Sequence, residues 1–284
     1  MSKSAILSSS IAKKWWMSLT GLFLCLFLVG HLLGNLQLVF ITGEEGQRAF
    51  NEYAYFMTHN PLIKVMSYIT YFSILFHAVD GILLTIQNKK ARPIKYAYNK
   101  PSANSSTPAR YMAILGSAIL IFIIMHMSNF WAVMHFDEGM PLHTKEIVAP
   151  GSQPQNLYLT TTGNYLPVDQ VDIKNRTELH AKGVDIKIGE AYKDLHSVTV
   201  AFFGHDKSKQ GVPANQMALL AVILYTLSMA VLGFHLWHGF ASAFQTLGVN
   251  HKKWNKGISN FGKAFAVLIP LAFAIIPIMI FLNK

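Results

Sequence analysis

The sequence contains one cysteine, Cys25, among 284 residues. A single thiol excludes an intrachain disulfide, a C-x-x-C-H haem attachment and a cysteine-ligated iron–sulfur cluster. Charge is also scarce, at 13% of residues against 52% hydrophobic. Acidic residues are missing altogether from 1–14, 88–110 and 246–263. The chain has no glycine-rich phosphate loop or dinucleotide fingerprint and no internal repeat. No basic motif interleaved with aromatics occurs either, which argues against a nucleic-acid partner. Any cofactor must therefore be held in some other way than these.

What the chain has in quantity is apolar sequence. Five runs of roughly 20 or more mostly apolar residues are each long enough to cross a bilayer. They are expected at 15–41, 61–87, 111–136, 213–245 and 262–282. Their interiors are nearly free of charge and lack the period-2 alternation of a barrel, so the spans are read as helices. The first run ends in no small-residue cleavage site and is too long for a signal segment, so it is read as a retained helix. The expected fold is an all-α integral membrane protein, one transmembrane domain over 1–284, with an extramembrane insertion at 137–212. That insertion is rich in turn sequences such as APGSQPQN and TTTGNY and is too long for a simple connection. Within it, 190–203 is expected to form an amphipathic helix. Pro61 and Pro213 are expected to open the second and fourth spans, and Pro270 and Pro277 to kink the fifth.

The three acid-free segments carry Lys3, Lys13 and Lys14, then Lys89, Lys90, Arg92, Lys95, Lys100 and Arg110, then Lys252, Lys253, Lys256 and Lys263. They fall on one side of the five spans, which the positive-inside rule makes the cytoplasm. Of the 14 acids, all but Asp80 lie in the opposite segments 42–60 and 137–212. The N-terminus is thus expected inside. The net charge of +10 reads as contact with anionic lipid and as a landing face for a cytoplasmic partner.

The 12 histidines divide by depth. His31, His77, His126 and the pair His235 and His238 lie inside the spans, where an ionisable side chain is costly and marks function by default. A lone intramembrane histidine is as well explained by a helix–helix hydrogen bond, but imidazoles on four successive spans are not. At 1.5 Å per residue, His31 and His126 both lie about 16–17 residues from the cytoplasmic end of their helices and so share a level. His77 and a fourth-span histidine share a second level, roughly 10 Å nearer the cytoplasm. Two axial imidazoles reach an iron from opposite faces of a macrocycle, and so come from different helices. Depth does not choose between His235 and His238, which are one turn apart. Gly30 and Gly34 beside His31, Gly81 after His77, and Gly239, Ala241 and Ser242 around His238 would let a flat ring approach the backbone, although close helix packing explains small residues equally well.

These residues resemble the five-helix dihaem cytochrome b subunit of succinate:quinone oxidoreductases, the complex II family of succinate dehydrogenases and fumarate reductases. The resemblance runs over KKWWMSLTGLFL and VGHLLGNLQ in the first span, FHAVDGI in the second, IIMHMSNFW in the third and GFHLWHGFASAFQTLG in the fourth. It implies two non-covalent bis-histidine haems b, the outer one on His31 and His126 and the inner one on His77 and His238. In this reading the family's fourth ligand immediately precedes a glycine, which selects His238 over His235. It further implies that Glu52, in AFNEYAYF, transfers protons at a menaquinone site near the outer haem, that Ser18 contacts the inner haem's propionates, and that Asp80 supports His77 from one turn away. The implied partners are a flavoprotein (FAD) subunit and an iron–sulfur subunit on the cytoplasmic face, menaquinone in the lipid bilayer, and a bacterial cytoplasmic membrane as location. No succinate chemistry is expected on this chain, and the direction of electron flow is left open. The long third connection departs from the compact members of the family. The rival readings are a cytochrome b anchor of a hydrogenase or formate dehydrogenase, and a transporter in which the histidines and Asp80 relay protons.

Overall fold

The computed structural model describes residues 9–94, 98, 100, 103, 105–206 and 211–283. Lys3 and Lys95, counted above among the cytoplasmic cations, lie outside the described residues. The long helices are α1 (Ser10–Asn35), α3 (Pro61–Lys90), α4 (Met112–His126), α6 (Ala218–Thr246) and α7 (Lys252–Leu282). Shorter ones are α2 (Gly43–His59) and α5 (Leu195–Phe202). With a helical turn at Gln37–Phe40 added to α1, and a π-turn at Met127–Ala132 and the turn Val133–Phe136 added to α4, five helices among the described residues are long and apolar enough to cross a membrane. The chain thus has the build of a multi-pass membrane protein.

The spans agree with the sequence at most ends and move at others. Pro61 is the first residue of α3, where its missing N–H costs nothing. Pro213 does not open the fourth span, because α6 starts at Ala218. The fifth helix begins at Lys252, ten residues before the apolar run, because KKWNKGISNF is itself helix-compatible although too polar for a hydropathy window. It continues through Pro270 and Pro277 to Leu282.

Two corrections concern the connections. The first, expected as a loop, is mostly the helix α2. Its Gln47, Phe50, Asn51 and Ala54 are buried at i, i+3, i+4 and i+7, the spacing of one helix face. The second is that the fold is not all-α. The insertion forms two antiparallel three-stranded sheets, β1 (Thr144–Ile147), β2 (Gln155–Leu159) and β3 (Tyr165–Pro167), then β4 (Val171–Lys174), β5 (Glu178–Ala181) and β6 (Lys187–Glu190). Thr144 pairs with Tyr158 and Leu159 with Tyr165; Val171 pairs with Ala181, and a bulge separates Leu179 from His180 in the pairing with β6. Strands of three to five residues are too short to show alternation in the sequence. The expected helix at 190–203 is shorter, because 187–190 is taken by β6.

The chain forms two compact units. The first comprises Met1–Leu32, Val65–Ile124 and Tyr225–Ile275. Its core is Cys25, Leu236, Phe240 and Ala266, flanked by Leu22, Leu232 and Phe265. Glycine sets the approach of α6 to α7: a Cβ at Gly233 would lie 3.0 Å from the Ala266 carbonyl, and one at Gly262 would lie 2.8 Å from the Phe240 ring.

The second unit comprises Leu33–Lys64, Met125–Leu224 and Ile276–Lys284. Leu142, Val171, Leu179 and Ala191 form the core of its β-rich part, and Ala54, Met134 and Met140 form another cluster with Leu195 and Val198. Two cations close the C-terminal end of the third span. Lys193 Nζ donates to the Met134 carbonyl at 2.5 Å and Arg176 to the His135 carbonyl at 2.7 Å, where the helix leaves its last carbonyls unpaired. Arg176 holds a left-handed backbone, φ 71°, in the turn between β4 and β5.

Candidate functional site

The clearest arrangement in the first unit centres on His77. Its Nδ1 lies 3.1 Å from the carbonyl oxygen of Met17, the distance of an Nδ1–H donating to that carbonyl. A ring nitrogen so engaged leaves Nε2 as the atom free to bind a metal, and a backbone carbonyl is a usual orienting partner for a metal-binding imidazole. Gly21 makes room for the ring, because a Cβ there would stand 3.1 Å from His77 Cε1. The first helix therefore contributes a carbonyl and a glycine to the setting of a histidine on α3.

The ring facing His77 is that of His235, with centroids 6.1 Å apart and planes at 65°. The rings of His77 and His238, expected to face each other, make no such contact. Two metal–imidazole bonds of about 2 Å, with ~1.1 Å from nitrogen to ring centre on each side, put the ring centres of a bis-histidine site roughly 6 Å apart. His235 Nδ1 is buried and has no hydrogen-bond partner among the described residues. A buried polar atom left unpaired is costly, and a ring in that condition beside a second imidazole suits a metal ligand. Gly116 comes near the same ring, with a Cβ there 3.6 Å from His235 Cε1. The donor set fits a bis-imidazole iron. Among the described residues no group of three or more His, Cys, Asp or Glu is arranged to hold a metal ion, and an axial pair is smaller than such a group.

The other expected residues are placed as follows. Ser18 is buried and its hydroxyl donates to the Lys14 carbonyl at 2.9 Å, next to the Met17 carbonyl that receives His77. Asp80 lies on α3 one turn from His77 and makes no hydrogen bond or ion pair among the described residues. His31 belongs to the first unit, where its ring stacks on Phe27 at 5.3 Å and tilts against Phe273 at 5.7 Å. His126 belongs to the second unit, 5.4 Å from the ring of Phe130, and the π-turn Met127–Ala132 starts directly after it. Gly30 and Gly81 have nothing within 4 Å of an added Cβ, whereas Gly239 is in ordinary contact with Met112. Gly34 does not leave room for a flat ring, because the Tyr53 side chain covers it. Glu52 sits on α2 with its carboxylate 2.7 Å from Arg48 Nε, and both side chains are close to half exposed.

The second unit also contains a buried polar network that no sequence motif announces. Asp194 is fully buried and caps α5, accepting from the Ser197 N–H at 3.0 Å. Its carboxylate also accepts from Gln47 Nε2 at 2.7 Å and Asn51 Nδ2 at 2.8 Å. Asn51 Oδ1 accepts the His196 N–H, which fixes the amide so that Nδ2 also faces His143 Nδ1 at 3.0 Å. His143 Nδ1 is then an acceptor and the ring is neutral. Burial pushes its pKa below the ordinary imidazole value, against the pull of Asp194. His143 also lines an open pocket of about 460 Å³ with Gln47, Arg48, Lys145 and Tyr165. Little in the sequence marks this face, because two of its four positions, Gln47 and Asn51, are polar.

Comparison with models of known protein families, with curated proteins and with solved structures finds no match to this chain.

Proposed function

We propose that this chain is the membrane-anchor cytochrome b subunit of a succinate:quinone oxidoreductase in a bacterial cytoplasmic membrane. In this role it binds two haems b and passes electrons between menaquinone and the iron–sulfur and flavoprotein subunits. The single observation that carries the reading is the pair His77 and His235, ring centres 6.1 Å apart, with one Nδ1 held by the Met17 carbonyl and the other buried without a partner. On that ground the inner ligand opposite His77 is assigned to His235, replacing the His238 that the resemblance to the family selected. The outer pair, His31 and His126, rests on their common depth and on the same resemblance.

When bound, each haem would supply one-electron transfer. The chain's own residues hold and insulate it. The Met17 carbonyl fixes the tautomer of His77, Gly21 sets how near that ring stands to α1, and apolar side chains exclude water. The acid-free cationic segments provide the face on which the partner subunits dock. With a quinone on the far side, each electron crossing the bilayer would be helped or opposed by the membrane potential, about 2.3 kcal/mol per charge per 100 mV.

The test is a reduced-minus-oxidised spectrum of the purified chain, followed by haem counting in two variants. A b-type signal is expected, His235→Ala should remove one haem, and His238→Ala should leave both. A folded wild-type chain with no b-type signal would end the cytochrome reading; loss of a haem in His238→Ala alone would return the ligand to His238.

A further inference from the structure

Resting on that reading, we infer that the Tyr53 hydroxyl donates a hydrogen bond to a carbonyl oxygen of the bound quinone, at the site where the resemblance places Glu52 in proton transfer. The face of α2 that carries Gly46 and Tyr53 lies on the end of the first span. Gly46 and Tyr53 are seven residues apart and share one face of α2. A Cβ at Gly46 would stand 2.1 Å from the Ile41 carbonyl oxygen, so this face rests directly on backbone. Seven residues on, the Tyr53 phenol lies on Gly34, where a Cβ would meet its hydroxyl oxygen at 2.4 Å and its ring at 2.6 Å. Only glycine at 34 admits the hydroxyl there.

Gly34 is three residues beyond His31 in α1, one turn or about 4.5 Å of rise. Its carbonyl accepts from Gln37 Nε2 at 3.2 Å, so a phenol and a primary amide both meet the chain at this glycine. The Tyr53 hydroxyl has no hydrogen-bond partner among the described residues and is half-buried. Burial raises its pKa, which keeps the proton on the oxygen and makes it a donor. Glu52, one position earlier, is turned about 100° around the helix and is engaged with Arg48 on the exposed side. A quinone head group is a flat, conjugated dicarbonyl that needs donors at its oxygens and an apolar bed for its ring and tail. The end of the first span offers the donors beside the helix that carries His31.

The test uses the full chain in detergent and a short-tailed naphthoquinone. Binding is followed by calorimetry, and reduction of the b-type band by the corresponding naphthoquinol is followed by stopped flow. Tyr53→Phe keeps the packing on Gly34 and removes only the O–H. Its expected effect is roughly tenfold weaker naphthoquinone binding, with the dithionite-reduced spectrum unchanged and the maximal reduction rate changed by less than about threefold. Glu52→Gln should change binding by less than about twofold. Naphthoquinone binding by Tyr53→Phe within twofold of wild type, or the loss appearing in Glu52→Gln instead, overturns the inference while leaving the haem reading intact. A wild-type chain that neither binds naphthoquinone nor is reduced by naphthoquinol overturns the quinone assignment and this inference together.

Discussion

Replacing Asp194 by alanine tests whether the buried network holds α2, α5 and the β-rich segment together. The carboxylate is fully buried and receives three donors within the second unit: Gln47 Nε2, Asn51 Nδ2 and the Ser197 N–H. Losing an N-cap costs about 1 kcal/mol. Each buried side-chain donor deprived of a charged acceptor costs about 1.5–3 kcal/mol, part of which is recovered because a buried carboxylate no longer has to be desolvated. The net expectation is about 3 kcal/mol, on the order of a hundredfold in the equilibrium for local opening. Asp194→Asn keeps an acceptor for Ser197 and Asn51 but sets an amide N–H against the Gln47 donor, for about 1–2 kcal/mol. The assay is hydrogen exchange on the intact chain in nanodiscs, comparing peptides from 43–59, 142–147 and 195–202 with peptides from α6 and α7. Faster exchange confined to the first set is expected. Exchange within about threefold of wild type in Asp194→Ala would refute the reasoning, since it would mean that the three donors find equal partners without the carboxylate.

Two further outcomes follow from individual contacts. His143 accepts from Asn51 only when neutral, and burial lowers its pKa in the folded chain. The unfolded chain therefore takes up the proton first as pH falls through the ordinary imidazole value near 6.5, so stability of the β-rich segment should drop below that pH and be retained above it. His143→Gln should flatten this dependence in thermal melts taken between about pH 5 and 8. Gly21→Val places branched carbon where even a Cβ would stand 3.1 Å from His77 Cε1. It should displace the ring from the Met17 carbonyl and shift or remove one b-type component at low-temperature optical resolution, while Gly30→Val, with open space around it, should leave that component in place.

Much of this fold was legible because a bilayer demands long apolar runs, and a run of that length announces itself. The helix α7 was under-read by ten residues for the same reason: a hydropathy window ends where lysines begin, but the backbone does not. The β-rich segment was legible only as something other than a linker. Strands such as TKEI and YLP carry too few residues for a period, and their pairing is set by turns such as the one at Gly163, φ 84°, rather than by pattern. That a fourth-span histidine lies near His77 was legible as well, since rise per residue is fixed, and the rings of His77 and His235 stand 6.1 Å apart. The buried partners of Asp194 were not, because Gln47 and Asn51 lie more than 140 residues away in sequence.

The two places where the proposals depart from the resemblance share one physical cause. On a helix, rotation is 100° per residue, so neighbours in sequence face different surroundings while residues three or four apart share one. His235 and His238 are such near-equivalents, one turn apart on almost the same face, and a rule based on the following glycine selects between them by pattern alone. What separates them is the level of the opposing ring: His77 is pinned by Nδ1 to the Met17 carbonyl, and at that height α6 presents His235. Glu52 and Tyr53 are the reverse case, adjacent in sequence and a third of a turn apart. The residue with the more suggestive chemistry, the carboxylate, is directed to Arg48, and the phenol reaches the helix that carries His31. In both cases residue type leaves two candidates, and the proposals choose between them by the direction each side chain takes from its helix.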